Sequence, residues 1–348
     1  MRRLPVYFLI DVSESMVGDQ INLVEEGISH VIQELKKDPY ALETVFVSII
    51  VFAGKAKIII PLTDIITFYP PKFSIGSGTN LGAGLVKLMF EMRKNYLPTT
   101  PDIKGDWKPI VFLFTDGVPT DKPLNAINEW KQNWAGKCSL IAISLGDTES
   151  VVVLKQITQD VYMINDINAD TYKNFFKWVT ASIKVSSASI AENGAHQMAN
   201  TTGLSLKKVA LDYLETNSNN LDPNFIIFTA RCSSTKVVYL IKYKKLIHQN
   251  EYSSSIGNRR TDYQIIGTYQ INSDYYELSS DKQIDQKIST ENLQDFPICP
   301  YCDNQHGLSI CSCNKILCSN LESNITCPWC GTKAKYEQGV FNLKRNLG

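Results

Sequence analysis

An excess of charge of either sign is missing from this 348-residue chain: 35 Lys and Arg face 35 Asp and Glu. That balance excludes a globally basic nucleic-acid binder, although a local patch remains compatible with it. Long hydrophobic runs are missing too. The longest nearly uninterrupted apolar stretch, Val45 to Gly54, is about half of the roughly 20 residues that a membrane helix needs, so no membrane span is expected. Arg2 and Arg3 followed by Val6–Ile10 outline a signal peptide, yet Asp11 ends the apolar run after five residues. A signal core needs roughly 7–15. The expectation is a strand, in a cytoplasmic protein. No GxxxxGK[ST] or GxSxG occurs, and Gly76-Ser77-Gly78 with Gly82 misses the G-x-G-x-x-G spacing, which removes the usual phosphate-loop, hydrolase and dinucleotide fingerprints. Cysteine is nearly absent from the first 298 residues: of nine, only Cys138 and Cys232 lie there, and seven fall between Cys299 and Cys330.

What is present suffices for about two domains, with 44% hydrophobic residues to build cores. Short β-rich apolar runs at Val6–Ile10, Val45–Phe52, Ile110–Thr115, Leu140–Ser144 and Val161–Ile164 alternate with amphipathic stretches. Ile21, Val24, Ile28, Val31, Ile32 and Leu35 recur at helical spacing, as do Leu85, Leu88, Met89 and Met92. The alternation predicts an α/β fold with a doubly wound, mostly parallel sheet. Ile58–Pro61 follows Phe52 too closely for a crossover helix and reads as an antiparallel edge strand. A last helix over Asp170–Val185 runs into the Ser-rich 186–189, where the first domain, 1–190, is expected to end. Beyond it, 191–295 reads as a short helix over Leu204–Leu214 followed by β-like runs at Phe225–Ala230, Val237–Tyr243, Tyr263–Gln270 and Tyr275–Leu278. This region separates charge, with a basic stretch over Arg231–Arg260 and an acidic one over Asp274–Asp295. They read as solvated faces, as partners of each other, or as a docking surface.

Three loops of the first domain carry chemistry. Asp11-Val12-Ser13-Glu14-Ser15 follows the first strand, Ser77-Gly78-Thr79-Asn80 precedes the Leu85 helix, and Thr115-Asp116-Gly117 ends the Ile110 strand. In open α/β sheets ligands bind outside the carboxyl ends of the strands, at the switch point. The donors Asp11, Ser13, Ser15, Thr79 and Asp116 are all hard oxygens, a set that selects Mg²⁺, Mn²⁺ or Ca²⁺ over zinc.

The block 296–340 carries two knuckles, Cys299-Pro300-Tyr301-Cys302 and Cys327-Pro328-Trp329-Cys330, separated by 24 residues. Two CxxC turns can supply a tetrahedral Zn²⁺ shell, and the expectation is a small zinc-ribbon-like domain with zinc on Cys299, Cys302, Cys327 and Cys330. Cys311, Cys313 and Cys318 are left over, either for a second site with His306 or for an alternative set such as Cys299, Cys302, Cys313 and Cys318. A cross-braced double site needs eight ligands, and the block supplies seven cysteines. Cys138 and Cys232 read as core residues, and Glu14 as a solvent-facing loop residue.

The DxSxS, Thr and Asp loops together resemble the metal-ion-dependent adhesion site (MIDAS) of von Willebrand factor A (VWA) domains. The resemblance implies that Ser13, Ser15 and Thr79 contact the ion, that Asp11 and Asp116 act partly through water, and that a carboxylate from a partner completes the shell. Thr115-Asp116-Gly117-Val118-Pro119-Thr120-Asp121, Phe175-Phe176-Lys177-Trp178-Val179 and the terminal CPxC…CPWCG block are similar to the TerY-type tellurium-resistance proteins. Those join a VWA domain to a cysteine-rich metal-binding domain in bacterial stress responses. The implied function is a non-enzymatic interaction module whose partners offer an acidic residue and include a protein kinase and a PP2C-type phosphatase. The competing expectations are a metal-dependent phosphoester hydrolase at the same ion, which lacks a His or Lys general acid or base in the motifs, and nucleic-acid binding through Lys242–Arg260 and the zinc block.

Overall fold

The computed structural model describes residues 2–145, 148–164, 169–193, 199, 207–208, 224–246, 261–282, 284–320 and 324–347. The chain divides into two compact units. One comprises Met1–Asn220 with Tyr276–Ser280, and the other Leu221–Tyr275 with Asp281–Gly348.

The first unit is built on strands β1 (Leu4–Asp11), β2 (Val45–Phe52), β3 (Ala56–Asp64), β4 (Ile110–Thr115), β5 (Ser139–Ser144), β6 (Val161–Met163) and β7 (Lys207–Lys208). Their order in the sheet is β3-β2-β1-β4-β5-β6-β7. The pairs from β2 to β6 are parallel, and β3 is antiparallel on β2, as its short connection requires. Helices α1 (Asp19–Leu35), α2 (Pro39–Thr44), α3 (Leu81–Asn95), α4 (Leu124–Asn133), α5 (Thr148–Lys155) and α6 (Ala169–Asn193) connect and cover it. Every residue of β1 and β4 is buried, the pattern of strands covered on both faces. On one face Leu9, Phe52, Leu85, Met89, Leu113 and Trp130 pack into one core. Phe114 stacks on Phe176, with centroids 5.7 Å apart. Gly27 leaves room for that ring: a Cβ there would stand 2.0 Å from Phe176.

The last helix is longer than expected. It continues through 186–189 because Ser186 and Ser187 are buried rather than exposed in a linker. Of the helix expected over Leu204–Leu214, only Lys207 and Lys208 are described. They form β7, antiparallel on β6; the remaining positions lie outside the described residues.

In the second unit β8 (Phe225–Arg231), β9 (Val238–Lys245), β10 (Tyr263–Gln270), β11 (Lys287–Ser289), β12 (Leu293–Gln294), β13 (Ser309–Ile310), β14 (Ile316–Leu317), β15 (Ile325–Thr326), β16 (Lys333–Ala334) and β17 (Asn342–Lys344) follow one another. A six-stranded sheet runs β12-β10-β9-β8-β14-β13. The middle region and the cysteine block therefore share one sheet rather than standing as separate parts, with β14 parallel to β8 through Ala230 and Arg231. Tyr275–Leu278, expected as a strand, is a single helical turn.

The basic stretch is not a continuous solvated face. Lys242 is buried, its ammonium 4.4 Å from the Phe225 ring centre, and Arg231 stacks on Trp329. Asp285 of the acidic stretch pairs with Lys344, and Glu277 with Lys57. Arg259 and Arg260 lie outside the described residues. No helix among the described residues is long and apolar enough to cross a membrane.

Candidate functional site

The sheet order reverses at β1: the chain steps from β1 to β2 on one side and reaches β4 on the other. Ile10 pairs with Phe114, so the next residues, Asp11 and Thr115, leave the sheet side by side. The Thr115 hydroxyl donates to Asp11 Oδ2 at 2.5 Å, and the Ser13 amide to Asp11 Oδ1 at 2.9 Å. Asp11 thus folds its own loop back. That turn brings Ser13 Oγ to 3.0 Å from Ser15 Oγ, which donates to Asp116 Oδ1 at 2.8 Å.

The third element arrives by backbone. Ser13 bridges Gly76, whose amide donates to the Val12 carbonyl at 2.9 Å. Thr79 is then fixed against the Asp loop from both ends of its peptide unit. Its amide donates to Thr120 Oγ1 at 2.9 Å, and its carbonyl accepts from the Thr120 amide at 2.8 Å. Asp121 Oδ2 accepts from the Gly82 amide in the first turn of α3, and Asn80 caps that helix through the Ala83 amide. A Cβ on Gly117 would stand 3.5 Å from Thr79 Oγ1 and 3.7 Å from Ser15 Oγ, so the Thr, Ser and Asp loops close on one small space. All five residues proposed from sequence are buried there. Their donor set, two carboxylates and three hydroxyls, fits a hard divalent cation.

Glu14 departs from its expected exposure. It is fully buried and accepts from Ser77 Oγ at 3.0 Å, joining the DxSxS loop to the Thr loop.

The cysteines regroup. The sulfurs of Cys299 and Cys302 do not meet those of Cys327 and Cys330. Cys299, Cys302, Cys318 and Cys232 form one group, and Cys311, Cys313, Cys327 and Cys330 another, the ligand atoms of each within 4.8 Å of one another. The reason is the sheet: β14 beside β8 carries Cys318 to the end of β8, where Cys232 sits. The hairpin of β13 and β14, antiparallel at Ile310 and Ile316, presents Cys311 and Cys313 in its turn. His306 belongs to neither group. Cys138 is a core residue, and its thiol donates to the Trp134 carbonyl. Cys232 packs in a core and is also the eighth thiol. The signal for it was arithmetic: seven cysteines are one short of two tetrathiolates.

Separations of 3.7 Å (Cys302–Cys318), 3.6 Å (Cys311–Cys330) and 3.9 Å (Cys313–Cys327) match the edge of about 3.8 Å of a tetrahedron with metal–sulfur bonds of about 2.3 Å. Electrostatics agrees. Burial raises the Cys232 thiol, but hydrogen bonds from Thr235 and Ser234 outweigh it and bring it to about 6. Burial pushes Cys299 up, helped by the charge of Cys318, and pushes Cys313 to about 12. Burial and mutual repulsion thus oppose gathering four thiolates in either group without a cation, and a bound cation relieves that repulsion.

This arrangement places the first unit in a known class: residues 6–178 match the von Willebrand factor type A domain. Residues 222–348 match the TerY-C metal binding domain, so the chain is a VWA protein carrying a TerY-C metal-binding domain. A search of curated proteins finds no match. Similar solved structures include proximal thread matrix protein 1 from the mussel byssus, 20% identical over 52% of this chain and 48% of that one, with a TM-score of 0.38. The PilB minor pilin from Streptococcus sanguinis is 14% identical over 53% and 61%, with a TM-score of 0.40. A von Willebrand factor type A protein from Catenulispora acidiphila is 18% identical over 53% and 43%, with a TM-score of 0.38. The chain spans about half the length of these proteins.

Proposed function

We propose that this protein is a non-enzymatic adaptor that captures an acidic side chain of a protein partner through a divalent cation, Mg²⁺ or else Mn²⁺ or Ca²⁺. The ion is held at Asp11, Ser13, Ser15, Thr79 and Asp116. One observation carries the reading: both carboxylates of the site are already engaged by hydroxyl and amide donors. Three of the five donors are neutral hydroxyls, and a partner carboxylate is a favourable sixth ligand for a cation that demands octahedral oxygen coordination. The side chains that meet there are hydroxyls and carboxylates, with Glu14 tied to Ser77, which favours docking over proton transfer.

The two cysteine groups hold Zn²⁺ and set the fold of the second unit. The setting is a cytoplasmic, bacterial stress response of the tellurium-resistance kind, with a protein kinase and a PP2C-type phosphatase as partners. Candidate partners are to be bound to the full chain with Mg²⁺, after chelation and Mg²⁺ restoration, and with Asp116→Ala. Binding that survives both chelation and Asp116→Ala refutes metal-bridged capture. Binding lost in both, restored by Mg²⁺, and lost when one partner Asp or Glu becomes its amide supports it.

A further inference from the structure

Five residues within the TerY-C match, Tyr276–Ser280, belong to the first compact unit. They are seated on the loop that leads to Thr79. The Ser77 amide donates to Ser279 Oγ at 2.9 Å, and the Ser77 carbonyl accepts from the Ser280 amide at 2.8 Å. The Lys55 amide donates to the Leu278 carbonyl at 2.8 Å. Two glycines make room: a Cβ on Gly54 would stand 2.0 Å from the Ser280 nitrogen, and one on Gly76 would stand 2.6 Å from Leu278 Cβ. Leu278 and Ser279 are buried. The Lys57–Glu277 ion pair beside them is exposed and adds little.

Ser77 is thereby held on every side. Its backbone is clamped by Ser279 and Ser280, its hydroxyl by Glu14 between Ser13 and Ser15, and its neighbours by the bridge at Gly76 and the Thr79–Thr120 pair. Ser77 lies two residues before Thr79. A loop that must supply a ligand oxygen at a fixed point binds best when it is ordered before the ion arrives.

We propose that Ser279 and Ser280 are positioning residues of the metal-ion site, ordering the Thr79 loop from a part of the sequence remote from the VWA motifs. This rests on the reading of Asp11, Ser13, Ser15, Thr79 and Asp116 as a cation site. A VWA unit lacking Tyr276–Ser280 would keep its ligands but hold them loosely.

The test uses the full chain with its zinc retained and Mn²⁺ alone as the probe. Two variants act by different means. Ser279→Ala removes the acceptor for the Ser77 amide, and Gly54→Ala drives a methyl into the Ser280 backbone and the Ser77 carbonyl bonded to it, disrupting that contact from both sides. Ser279→Thr keeps the hydroxyl. Before Mn²⁺ is added, hydrogen exchange is read at the Ser77–Asn80 amides, with the β1 and β4 amides as the measure of intact folding. Ser279→Ala and Gly54→Ala should each weaken Mn²⁺ binding roughly tenfold, the size of loss typical when a supporting hydrogen bond behind a ligand is removed. They should also speed exchange at Ser77 with β1 and β4 still protected, and Ser279→Thr should behave as the parent. Asp116-dependent Mn²⁺ binding left unchanged by Ser279→Ala and Gly54→Ala overturns the proposal alone. Mn²⁺ binding indifferent to Asp116→Ala overturns the cation site and this proposal with it.

Discussion

Replacing Cys232 by alanine separates the observed grouping of the cysteines from the one that the knuckle motifs suggest. Cys232 belongs to the group with Cys299, Cys302 and Cys318, and its loss leaves three sulfurs there. The zinc content of the full chain, measured by atomic emission, should fall from about two per chain to about one. The effect on folding should be larger than that of an ordinary core substitution. β14 pairs with β8 through two residues only, Ile316 with Ala230 and Leu317 with Arg231, so backbone pairing alone holds that join weakly. A structural zinc site contributes an apparent 10–16 kcal/mol in small domains, as much as the whole of a typical domain's stability of about 5–15 kcal/mol. The melting transition of the second unit should therefore be lost while that of the VWA unit persists. Cys232→Ala with Cys318→Ala should lose no more metal than either change alone, and Cys232→Ala with Cys327→Ala should lose both ions. Two zincs retained in Cys232→Ala, or one shared site emptied by both Cys299→Ala and Cys327→Ala, would refute the grouping.

Cys138 is pushed up to about 12 by burial, above the usual 8.5 or so of a free thiol. Its stabilising contribution is complete below about pH 9 and is lost as pH rises toward 12. The thermal stability of the VWA unit should fall over that window by roughly 1.4 kcal/mol per pH unit from this group, and Cys138→Ala should flatten that part of the slope. Asp106 is buried, pairs both oxygens with Arg3 at 2.7 Å, and accepts from the Leu97 amide. Asp106→Ala should cost about 3 kcal/mol, the low end for breaking a buried pair because Arg3 is a quarter exposed, read by denaturant unfolding. At Gly27 the gain in helix propensity of about 1 kcal/mol for alanine opposes the clash with Phe176. Phe176 is hemmed in by Phe114 and Phe175 and cannot yield, so Gly27→Ala should destabilise by about 1–3 kcal/mol; a stabilised variant would show that the ring can move.

Most of the VWA fold was legible because its signals are local. The apolar runs of β1, β2, β4 and β5 and the helical stripes of α1 and α3 state their period within a dozen residues. The switch point follows from strand order, and strand order alone places Asp11 and Asp116 at one end of the sheet. What escaped depends on contacts remote in sequence. Glu14 looked like a loop carboxylate because nothing near it shows that Ser77 lies against it. The serines at 186–189 looked like a linker because propensity carries no record of Ser186 and Ser187 being covered.

The cysteine pairing failed for a related reason. A CxxC turn fixes which two thiolates act together, and both knuckles do so here, but it carries no information on which other pair completes the shell. That choice belongs to the sheet. Cys318 follows β14, β14 lies parallel to β8, and just past the end of β8, 85 residues earlier in the chain, stands Ser233, whose amide donates to Cys318 Sγ at 3.2 Å. The same pairing takes Cys311 and Cys313 away from Cys299 and Cys302 and turns them toward Cys327 and Cys330. One long-range strand contact thus completes the first group, and the four thiols it leaves make up the second. The first group closes a loop from Cys232 to Cys318, and the second lies wholly between Cys311 and Cys330. The second can assemble from local contacts, and the first requires the sheet. Zinc added to unfolded chain should therefore protect the β15–β16 hairpin from hydrogen exchange before it protects β8, because closing the shorter loop costs less entropy. Simultaneous protection of both would mean that the sheet, rather than loop length, governs the order of assembly.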